Sequence, residues 1–354
     1  MKIEKTRAFF VNIILPVALF FTIVAPNLHA QAAPGWVTST ESAFPGRDWV
    51  VVTAEGASQS QAESNAMNAL ARAFRTDVTS LTQASRQFSQ MVNNTEGKSN
   101  NSIAFNESRN FSQEIDVSTN VRGLIGVQID VYRDNRGTVH VCARMNRRES
   151  AARYSGIIGE NEAIIGKLLV PAVPSGTFEA YARLCFAHAL AQVTDNFQNI
   201  LEVLDPTAAG RRPGYGGAGA IRARMLEYAS LITVGVAVNT EQQADKTLFT
   251  RAAASFFRDR GFKTDEQGGG DTVLSVNVRF EDLHQNVFSS RYFMDASLKN
   301  QGKATIFSFT ENDRKAHTHS RAEARRLAVR AVEASLKEAK FAQEFDSWLN
   351  SFVD

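Results

Sequence analysis

The chain has 354 residues, of which 44% are hydrophobic and 21% are charged. These proportions are those of ordinary soluble globular proteins, and the length suits two domains. The formal net charge is +2, but residues 1–32 hold three basic residues and one acidic residue and account for all of it. The remaining chain is near neutral, which gives no reason to predict nucleic acid or an acidic polymer as a partner.

Residues 1–32 have the three parts of a secretory signal peptide. A basic start precedes an almost wholly apolar run over residues 8–25, and a small-x-small pattern ends at Ala32. We favour cleavage after Ala32 over cleavage after Ala30. An uncleaved membrane anchor is the competing interpretation, since the apolar run is on the border of spanning length. The leader predicts a periplasmic protein, with association with the outer membrane left open.

A short apolar strand, a turn and a helix open the first half of the chain. Trp49 to Val52 predict a buried strand that ends near Gly56, and Ser58 and Ser60 are alternative helix N-caps. The helix could continue past Leu81. Small side chains repeat along one face of it, which favours close packing on a sheet; they are Ala62, Ala66, Ala69 and Ala73.

A polar loop over residues 93–112 follows, rich in asparagine and serine. Alternating apolar residues then predict strands over residues 115–121 and 127–131. The sequence 134–137, Asp-Asn-Arg-Gly, predicts a hairpin turn into a third strand that contains Cys142. One face of this sheet is expected to be covered and the other to be wetter.

Two helices are predicted next, over residues 149–169 and 178–204, each closed by proline. Residues 206–220 hold five glycines and two prolines, and they predict a domain linker. A glycine-rich phosphate loop is the alternative for this segment. It is weakly supported, because no Gly-Lys-Ser/Thr sequence ends it and no buried strand precedes it.

The second half again begins with a strand and a helix. The strand is predicted over residues 231–238 and the helix over 246–260, ended by Gly261. Three alternating strands are predicted, and one long helix is predicted from Ser320 onward; the strands cover residues 274–280, 292–298 and 305–309. The early part of that helix carries a stripe of small side chains, Ala324, Ala328, Ala331 and Ser335. Its later part carries a bulky stripe, Phe341, Phe345, Trp348 and Phe352.

This order of elements predicts an α+β protein of two consecutive domains, each with helices packed on a mainly antiparallel sheet. The first domain is predicted over residues 34–205 and the second over residues 221–354, ending in the long helix. The linker over residues 206–220 separates them.

His317 and His319 are the only closely spaced histidine pair in the sequence. On a strand their rings face the same side and could reach one metal ion, together with Glu311, Asp313 or His284. However, residues 312–320 resemble a polar approach to a helix, where exposed histidines are ordinary. We therefore predict no metal-binding residue.

No catalytic or cofactor-binding residue is predicted either, because no known nucleophile or carboxylate-pair motif has a suitable context. An oxidising compartment would permit a disulfide between Cys142 and Cys185. We favour two buried free thiols, since a strand and an apolar helix can each bury a cysteine.

Two features of the C-terminal region could serve as contact surfaces. The first is a basic helix face that comprises Arg325, Arg326, Arg330, Lys337 and Lys340. We expect this face to be solvated, and the alternative is that it contacts an anionic lipid or an acidic protein. The second is the phenylalanine-rich stripe from Phe341 onward. Burial against the second sheet is its expected use, and oligomerisation or membrane docking is the alternative.

The sequence Pro34-Gly35-Trp36, the strand from Trp49 and the alanine-striped helix resemble the LPP-twenty lipoprotein family. The later strand-then-helix sequence over residues 139–152 is also similar to that module. The resemblance covers roughly residues 34–154. The family includes flagellar outer-membrane accessory proteins such as FlgP, and the first domain of FlgT is similar. The chain departs from the family because it lacks the lipidated cysteine and carries a second α/β half.

The resemblance implies a non-enzymatic envelope protein that uses no cofactor. It implies assembly or scaffolding at the periplasm or outer membrane, with association with the flagellum as one form of this role. The partners would be further copies of the chain or envelope and flagellar assembly proteins, and no nucleic acid. Peripheral membrane contact also stays open. The alternative is a periplasmic binding module for peptidoglycan or another envelope polymer, with a groove between the two halves.

Overall fold

The computed structural model describes residues 33–74, 78–94, 124–170, 173–210, 213–284, 287–301, 304–317, 319–337 and 339–353. The predicted signal peptide, residues 95–112 of the predicted polar loop and the predicted strand at 115–121 lie outside the described residues. In the described part of the chain, no helix is long and apolar enough to cross a membrane.

The first half combines a small sheet with helices. Its strands are β1 (Trp49–Gly56), β2 (Gln128–Arg133) and β3 (Val139–Asn146). Its helices are α1 (Gly35–Thr38), α2 (Thr40–Ala43), α3 (Gln59–Ala73), α4 (Val78–Asn94), α5 (Arg147–Leu169), α6 (Phe178–Leu204) and α7 (Pro206–Ala209).

The second half begins with α8 (Ala218–Ala229) and contains a larger sheet. Its strands are β4 (Thr233–Asn239), β5 (Lys263–Asp265), β6 (Thr272–His284), β7 (Phe288–Asn300) and β8 (Thr305–His317). Its remaining helices are α9 (Gln243–Asp259), α10 (Arg321–Ser335) and α11 (Ala339–Asn350).

The first sheet has the order β1-β3-β2 and is antiparallel throughout. The predicted hairpin turn before β3 is confirmed. Gly137 has a φ of +88°, which favours glycine, and the Asp134 carboxylate accepts a hydrogen bond from the Thr138 N–H at 2.9 Å.

Helix α3 packs on this sheet, as its small residues predict. Ser58 is its N-cap, with the Gln61 N–H donating to the serine hydroxyl at 3.3 Å. A Cβ added at Gly56 would lie 2.6 Å from the backbone nitrogen of Ala62, so turn and helix are in close contact.

The predicted alanine stripe of α3 is only partly correct. Ala62 and Ala66 are fully buried, but Ala73 is exposed and the buried face continues through Leu70 to Phe74. The buried face therefore drifts around the helix, because each step of four residues turns by about 400° and moves the side chain about 40° further round. The helix also does not continue past Leu81, because α3 ends at Ala73 and α4 is a separate helix.

Helix α6 is the central element of the molecule. It contacts α4, α5 and α8, and it also contacts α11 of the second half. The Tyr154 and Phe197 rings lie 5.3 Å apart at its contact with α5. Buried apolar side chains of both halves form one continuous cluster.

The segment predicted as a linker holds α7 and the start of α8, both of which are tied to α6. The Gln198 side chain donates to the Ala209 carbonyl at 2.8 Å, and the Asp195 carboxylate accepts from the Ala218 N–H at 2.8 Å. The division into two domains stays a prediction.

The second sheet has the order β5-β4-β6-β7-β8, with β4 parallel to β5 and β6 and the other pairs antiparallel. The predicted α+β class, with helices on mainly antiparallel sheets in two regions, is confirmed.

Strands β6, β7 and β8 each have 13 residues, which is longer than predicted. In particular, residues 312–317 are strand and not an approach to a helix. The sequence hides this because those positions are polar on both faces, so the alternation that identifies a half-buried strand is absent.

The predicted single C-terminal helix is wrong, because α10 and α11 are separate helices. From Ser335 to Phe341 a continuous helix would turn by about 600°, placing the bulky stripe about 120° from the small one. A break lets both stripes face the core. Ala328 and Val332 of α10 and Phe341 of α11 are fully buried.

Candidate functional site

Among the described residues, helices pack on only one face of the second sheet. Alternate residues of β6, β7 and β8, such as Val276, Met294 and Phe309, are buried under helices. The Phe249 and Phe280 rings lie 6.4 Å apart on that side. The intervening residues form the opposite face, which we call the uncovered face; those that concern the site are Asn239, Asn277, Arg279, Glu281, Arg291, Phe293, Asp295, Thr310, Asn312 and Arg314.

Strand register arranges the uncovered face in three rows. The first row crosses four strands and consists of Asn239, Asn277, Asp295 and Thr310. The Asn239 amide donates to the Asn277 carbonyl oxygen at 3.4 Å, and the Thr310 hydroxyl donates to Asp295 at 2.9 Å. This row presents amide, carboxylate and hydroxyl groups, which can both donate and accept hydrogen bonds.

The second row consists of Arg279, Phe293 and Asn312. The Cζ atom of Arg279 lies 4.7 Å from the centroid of the Phe293 ring, a cation–π distance. The arginine is exposed and the phenylalanine is half-buried beneath it. The row therefore combines a positive charge with an aromatic surface.

The third row consists of Glu281, Arg291 and Arg314. The two arginines are direct cross-strand partners. The Nε atom of Arg314 donates to the Ser289 hydroxyl at 2.9 Å. Like charges directly opposite each other on a sheet are destabilising, whereas Glu281 on the other side of Arg291 has the favourable opposite charge. The row therefore presents two positive charges and one negative charge.

A cavity of about 390 Å³ adjoins the first two rows. Its walls include the loop that follows β4, and the Thr240 hydroxyl oxygen there is buried without a hydrogen-bond partner among the described residues. The lining residues are Asn239, Thr240, Glu241, Asn277, Val278, Arg279, Phe293 and Asp295. Most of these side chains are polar, and the cavity is open to the uncovered face.

The histidine pair is not assembled into a metal site in the described residues. His317 ends β8, and its Nδ1 accepts a hydrogen bond from the His319 N–H at 3.3 Å. The Glu311 carboxylate instead accepts a hydrogen bond from the Ser335 hydroxyl. A hydrogen bond from Lys315 lowers the pKa of Asp313. Within the described ranges, no group of three histidine, cysteine or carboxylate residues could hold a metal ion.

Both cysteines are free, as favoured from the sequence, but only Cys142 is a fully buried residue and Cys185 is half-buried. Cys142 is buried in β3, and burial raises the pKa of its thiol to about 11. Cys185 of α6 lies 3.5 Å from the Met225 sulfur, and burial raises its pKa to about 12. Both thiols are protonated at neutral pH, which is unsuited to nucleophilic chemistry.

The predicted basic helix face is not a single surface. Arg325 points inward against the Phe280 ring, whereas Arg326 is exposed and paired with Glu323. Lys337 forms an ion pair with Glu333 at 2.7 Å. Ion pairs of this kind are typical of a solvated helix surface, in agreement with the solvated face expected from the sequence.

The aromatic stripe of α11 belongs to the core. Phe341 and Phe345 are fully buried, and the Phe309 ring of β8 lies 5.3 Å from Phe341. Burial against the second sheet, the expected use, is confirmed. Phe341 and Phe345 are therefore not part of an exposed aromatic surface.

Sequence analysis did not identify the uncovered face. Its signal was present in β6, where Ser275, Asn277, Arg279 and Glu281 alternate with apolar residues. That pattern normally indicates only a solvated sheet face. The register of three strands is needed to show which polar residues meet, and register cannot be obtained from one strand alone.

No protein-family model matches the chain, and no curated protein matches it. The chain is similar to the solved structure of a minor lipoprotein from Acinetobacter baumannii. That similarity has 8% sequence identity and a TM-score of 0.23, and it covers 30% of this chain and 87% of the lipoprotein.

The chain is also similar to the solved structure of the secreted protein HP1454 from Helicobacter pylori, with 10% sequence identity and a TM-score of 0.37. That similarity covers 81% of this chain and 97% of HP1454. The resemblance to the LPP-twenty family stays a prediction.

Proposed function

We propose that this chain is an exported, non-enzymatic envelope protein that binds peptidoglycan or another envelope polymer. The observation that carries the proposal is the uncovered face of the second sheet. A four-strand row of hydrogen-bonding side chains lies beside an aromatic ring and a cavity of about 390 Å³. Binding sites commonly combine a concave surface with a few convergent polar groups.

The uncovered face replaces the groove between the two halves as the proposed site. The boundary between the halves is filled where α6 meets α11, since the Phe178 and Phe345 rings lie 6.2 Å apart there. The uncovered face is a broad surface formed by antiparallel strands that are 13 residues long. An extended polymer can contact such a surface over several repeating units.

Sedimentation with purified peptidoglycan tests this proposal. We expect the purified chain to sediment with the polymer and to stay in the supernatant without it. A double variant, Asn277→Ala with Phe293→Ala, removes one hydrogen-bonding group and the aromatic surface from the face. We expect it to sediment less, whereas sedimentation equal to that of the parent chain would contradict the proposed site.

Assembly or scaffolding is the second candidate function, and the edge of the second sheet favours it. Strand β8 is the last strand and pairs only with β7 in the described sheet. A long free edge can accept a strand from another chain through main-chain hydrogen bonds. The partners would be further copies of this chain or envelope assembly proteins, and the resemblance to the LPP-twenty family would extend this to flagellar assembly proteins.

Size-exclusion chromatography with light scattering separates the two candidates. Self-assembly predicts a mass above that of one chain which rises with protein concentration. A stable monomer that sediments with peptidoglycan would contradict self-assembly and would support polymer binding. The full chain of 354 residues has a mass of 38.9 kDa, and a chain cleaved after Ala32 is correspondingly lighter.

A further inference from the structure

Three arginines on the uncovered face form no ion pair with any described residue, although Glu281 is the cross-strand neighbour of Arg291. In the part of the chain that the structure describes, Arg279, Arg291 and Arg314 form no ion pair with a carboxylate. Basic residues nearby on the covered side behave differently. Lys315 contacts Asp313 at 2.5 Å and Arg321 contacts Asp282 at 3.2 Å. Arg251 and Arg330 also form no ion pair in the described chain, so what distinguishes this face is that three such arginines lie on adjacent strands.

The three guanidinium groups lie on adjacent strands. Arg291 is directly opposite Arg314, and Arg279 lies one row away from them on β6. Neighbouring strands are about 4.8 Å apart, so all three side chains can reach one ligand. Guanidinium groups bind carboxylate and phosphate oxygens with paired hydrogen bonds, and a bound anion would relieve the repulsion between the opposed arginines.

The neighbouring rows are not suited to an anion alone. Next to Arg279 lie the Phe293 ring, the two amides of Asn239 and Asn277, and the Asp295 carboxylate. A carboxylate disfavours a simple anion at that point but accepts hydrogen bonds from hydroxyl groups. The Phe293 ring can pack against the C–H face of a saturated ring in a ligand. Hydroxyl groups and acidic groups on one extended chain would satisfy the whole surface.

We infer that the uncovered face binds an acidic saccharide chain, with Asn239, Asn277 and Asp295 holding hydroxyl groups and the three arginines holding its acidic groups. Charge complementarity and the hydrogen-bonding row argue for this occupant. The inference rests on the proposed function, since it names the chemistry of the polymer. The near-neutral charge of the whole chain does not show this site, because net charge averages over all faces.

Isothermal titration calorimetry with three probes tests the inference. The probes are oligogalacturonate, which bears a carboxylate on each sugar, a neutral dextran oligosaccharide of equal length, and tripolyphosphate, an anion without sugar. We expect oligogalacturonate to bind at least about tenfold more tightly than either of the others, since only it meets both sets of groups. Its affinity should fall as salt concentration rises.

Matched charge variants locate the site. We expect Arg291→Gln with Arg314→Gln to weaken oligogalacturonate binding by about tenfold or more. The control, Arg251→Gln with Arg330→Gln, removes the same charge from exposed helix positions and should leave the affinity unchanged. Thermal unfolding at an unchanged midpoint would show that the variants are folded. A chain with Asn277→Ala should also bind more weakly.

Three results would overturn the inference. They are equal binding of oligogalacturonate and dextran, equal loss of affinity in the two charge variants, or tight tripolyphosphate binding that Asn277→Ala leaves unchanged. Failure of the proposed function gives a different result. In that case oligogalacturonate binds at the arginines, but the chain does not sediment with peptidoglycan.

Discussion

The Cζ atom of Arg325 lies 3.5 Å from the centroid of the Phe280 ring. The guanidinium group also lies 3.6 Å from the Asp245 carboxylate and 3.5 Å from the Glu241 carboxylate. These distances exceed those of strong charge-assisted hydrogen bonds. Arg325 is therefore held mainly by stacking and by charge, and it joins α10 to the covered face of the sheet and to the start of α9.

Replacing Arg325 with alanine should destabilise the protein by about 2 kcal/mol or more, because Asp245 is buried and would lose its positive partner. Arg326 is the matched control on the same helix. It is exposed and pairs with Glu323 one turn away, so Arg326→Ala should leave stability nearly unchanged. Urea unfolding of both variants measures the difference, and equal losses would contradict the role of Arg325.

Gly235→Ala should destabilise the second sheet by at least about 2 kcal/mol, because its site is overpacked by backbone. A Cβ at this position would lie 2.1 Å from the Gly269 carbonyl oxygen and 2.8 Å from the Gly268 carbonyl carbon. Gly156 of α5 has open space around a Cβ, and Gly156→Ala should stabilise by about 0.5–1 kcal/mol. Chemical denaturation of the pair tests whether the two effects have opposite signs.

Much of the local structure was predictable because neighbouring residues specify it. The N-cap at Ser58 and the turn at Gly137 follow from capping and turn chemistry. The helix over residues 178–204 was predicted with its observed limits, since Pro206 closes it, and the structure adds Thr177 as its N-cap. Such signals act over a few residues and do not depend on the rest of the fold.

The candidate site was not predictable for the opposite reason. Arg291 and Arg314 are 23 positions apart in the chain, and only the register of β7 with β8 brings them together. The extension of β8 to His317 depends on the same pairing, because its polar residues carry no alternation. Long-range pairing sets these features, and a single sequence does not contain it in readable form.

The stability of the protein should decrease as pH falls below about 6.5. Burial lowers the pKa of His188 from its ordinary value of 6.5, and nearby Arg222 adds to this, while Asp195 and the Ala218 carbonyl oppose it. The unfolded chain then binds the proton more readily than the folded one. The stability that neutral His188 provides is fully present above pH 6.5, and it is lost as the pH falls towards the pKa of His188 in the folded chain.

His188→Gln isolates this effect. The variant keeps Asp195, whose pKa burial raises and whose own contribution therefore has the opposite sign. Unfolding free energies measured between pH 7.5 and 5.5 should fall more steeply for the parent chain than for the variant. Parallel curves would show that His188 does not titrate differently in the folded and unfolded states.

Neither thiol should react readily in the native protein. The pKa of Cys142 is raised from 9.0 to about 11, which lowers its thiolate fraction about a hundredfold at neutral pH. The pKa of Cys185 is raised to about 12, so its thiolate fraction should be lower still. Labelling with a thiol reagent should therefore be slow in buffer and rapid in guanidinium chloride. Rapid native labelling that Cys185→Ser abolishes would contradict the burial of that thiol.

Phe345→Ala should destabilise both halves of the molecule together. Phe345 is fully buried, and its ring contacts Phe178 of α6 as well as Phe257 of the second half. Truncation of such a ring commonly costs about 3–5 kcal/mol. The contact with α6 transmits the loss to the first half, because α6 also packs against α4 and α5 there.

Tryptophan fluorescence can follow the first half alone in a Trp348→Phe background, where Trp36 and Trp49 remain as reporters. Phe345→Ala in that background should shift their unfolding midpoint to lower denaturant, since they unfold with the common core. Phe352→Ala provides the control, because Phe352 is only partly buried and should shift the midpoint much less. If Phe345→Ala leaves the unfolding midpoint reported by Trp36 and Trp49 unchanged, the two halves unfold independently. That result would agree with two domains divided at residues 206–220.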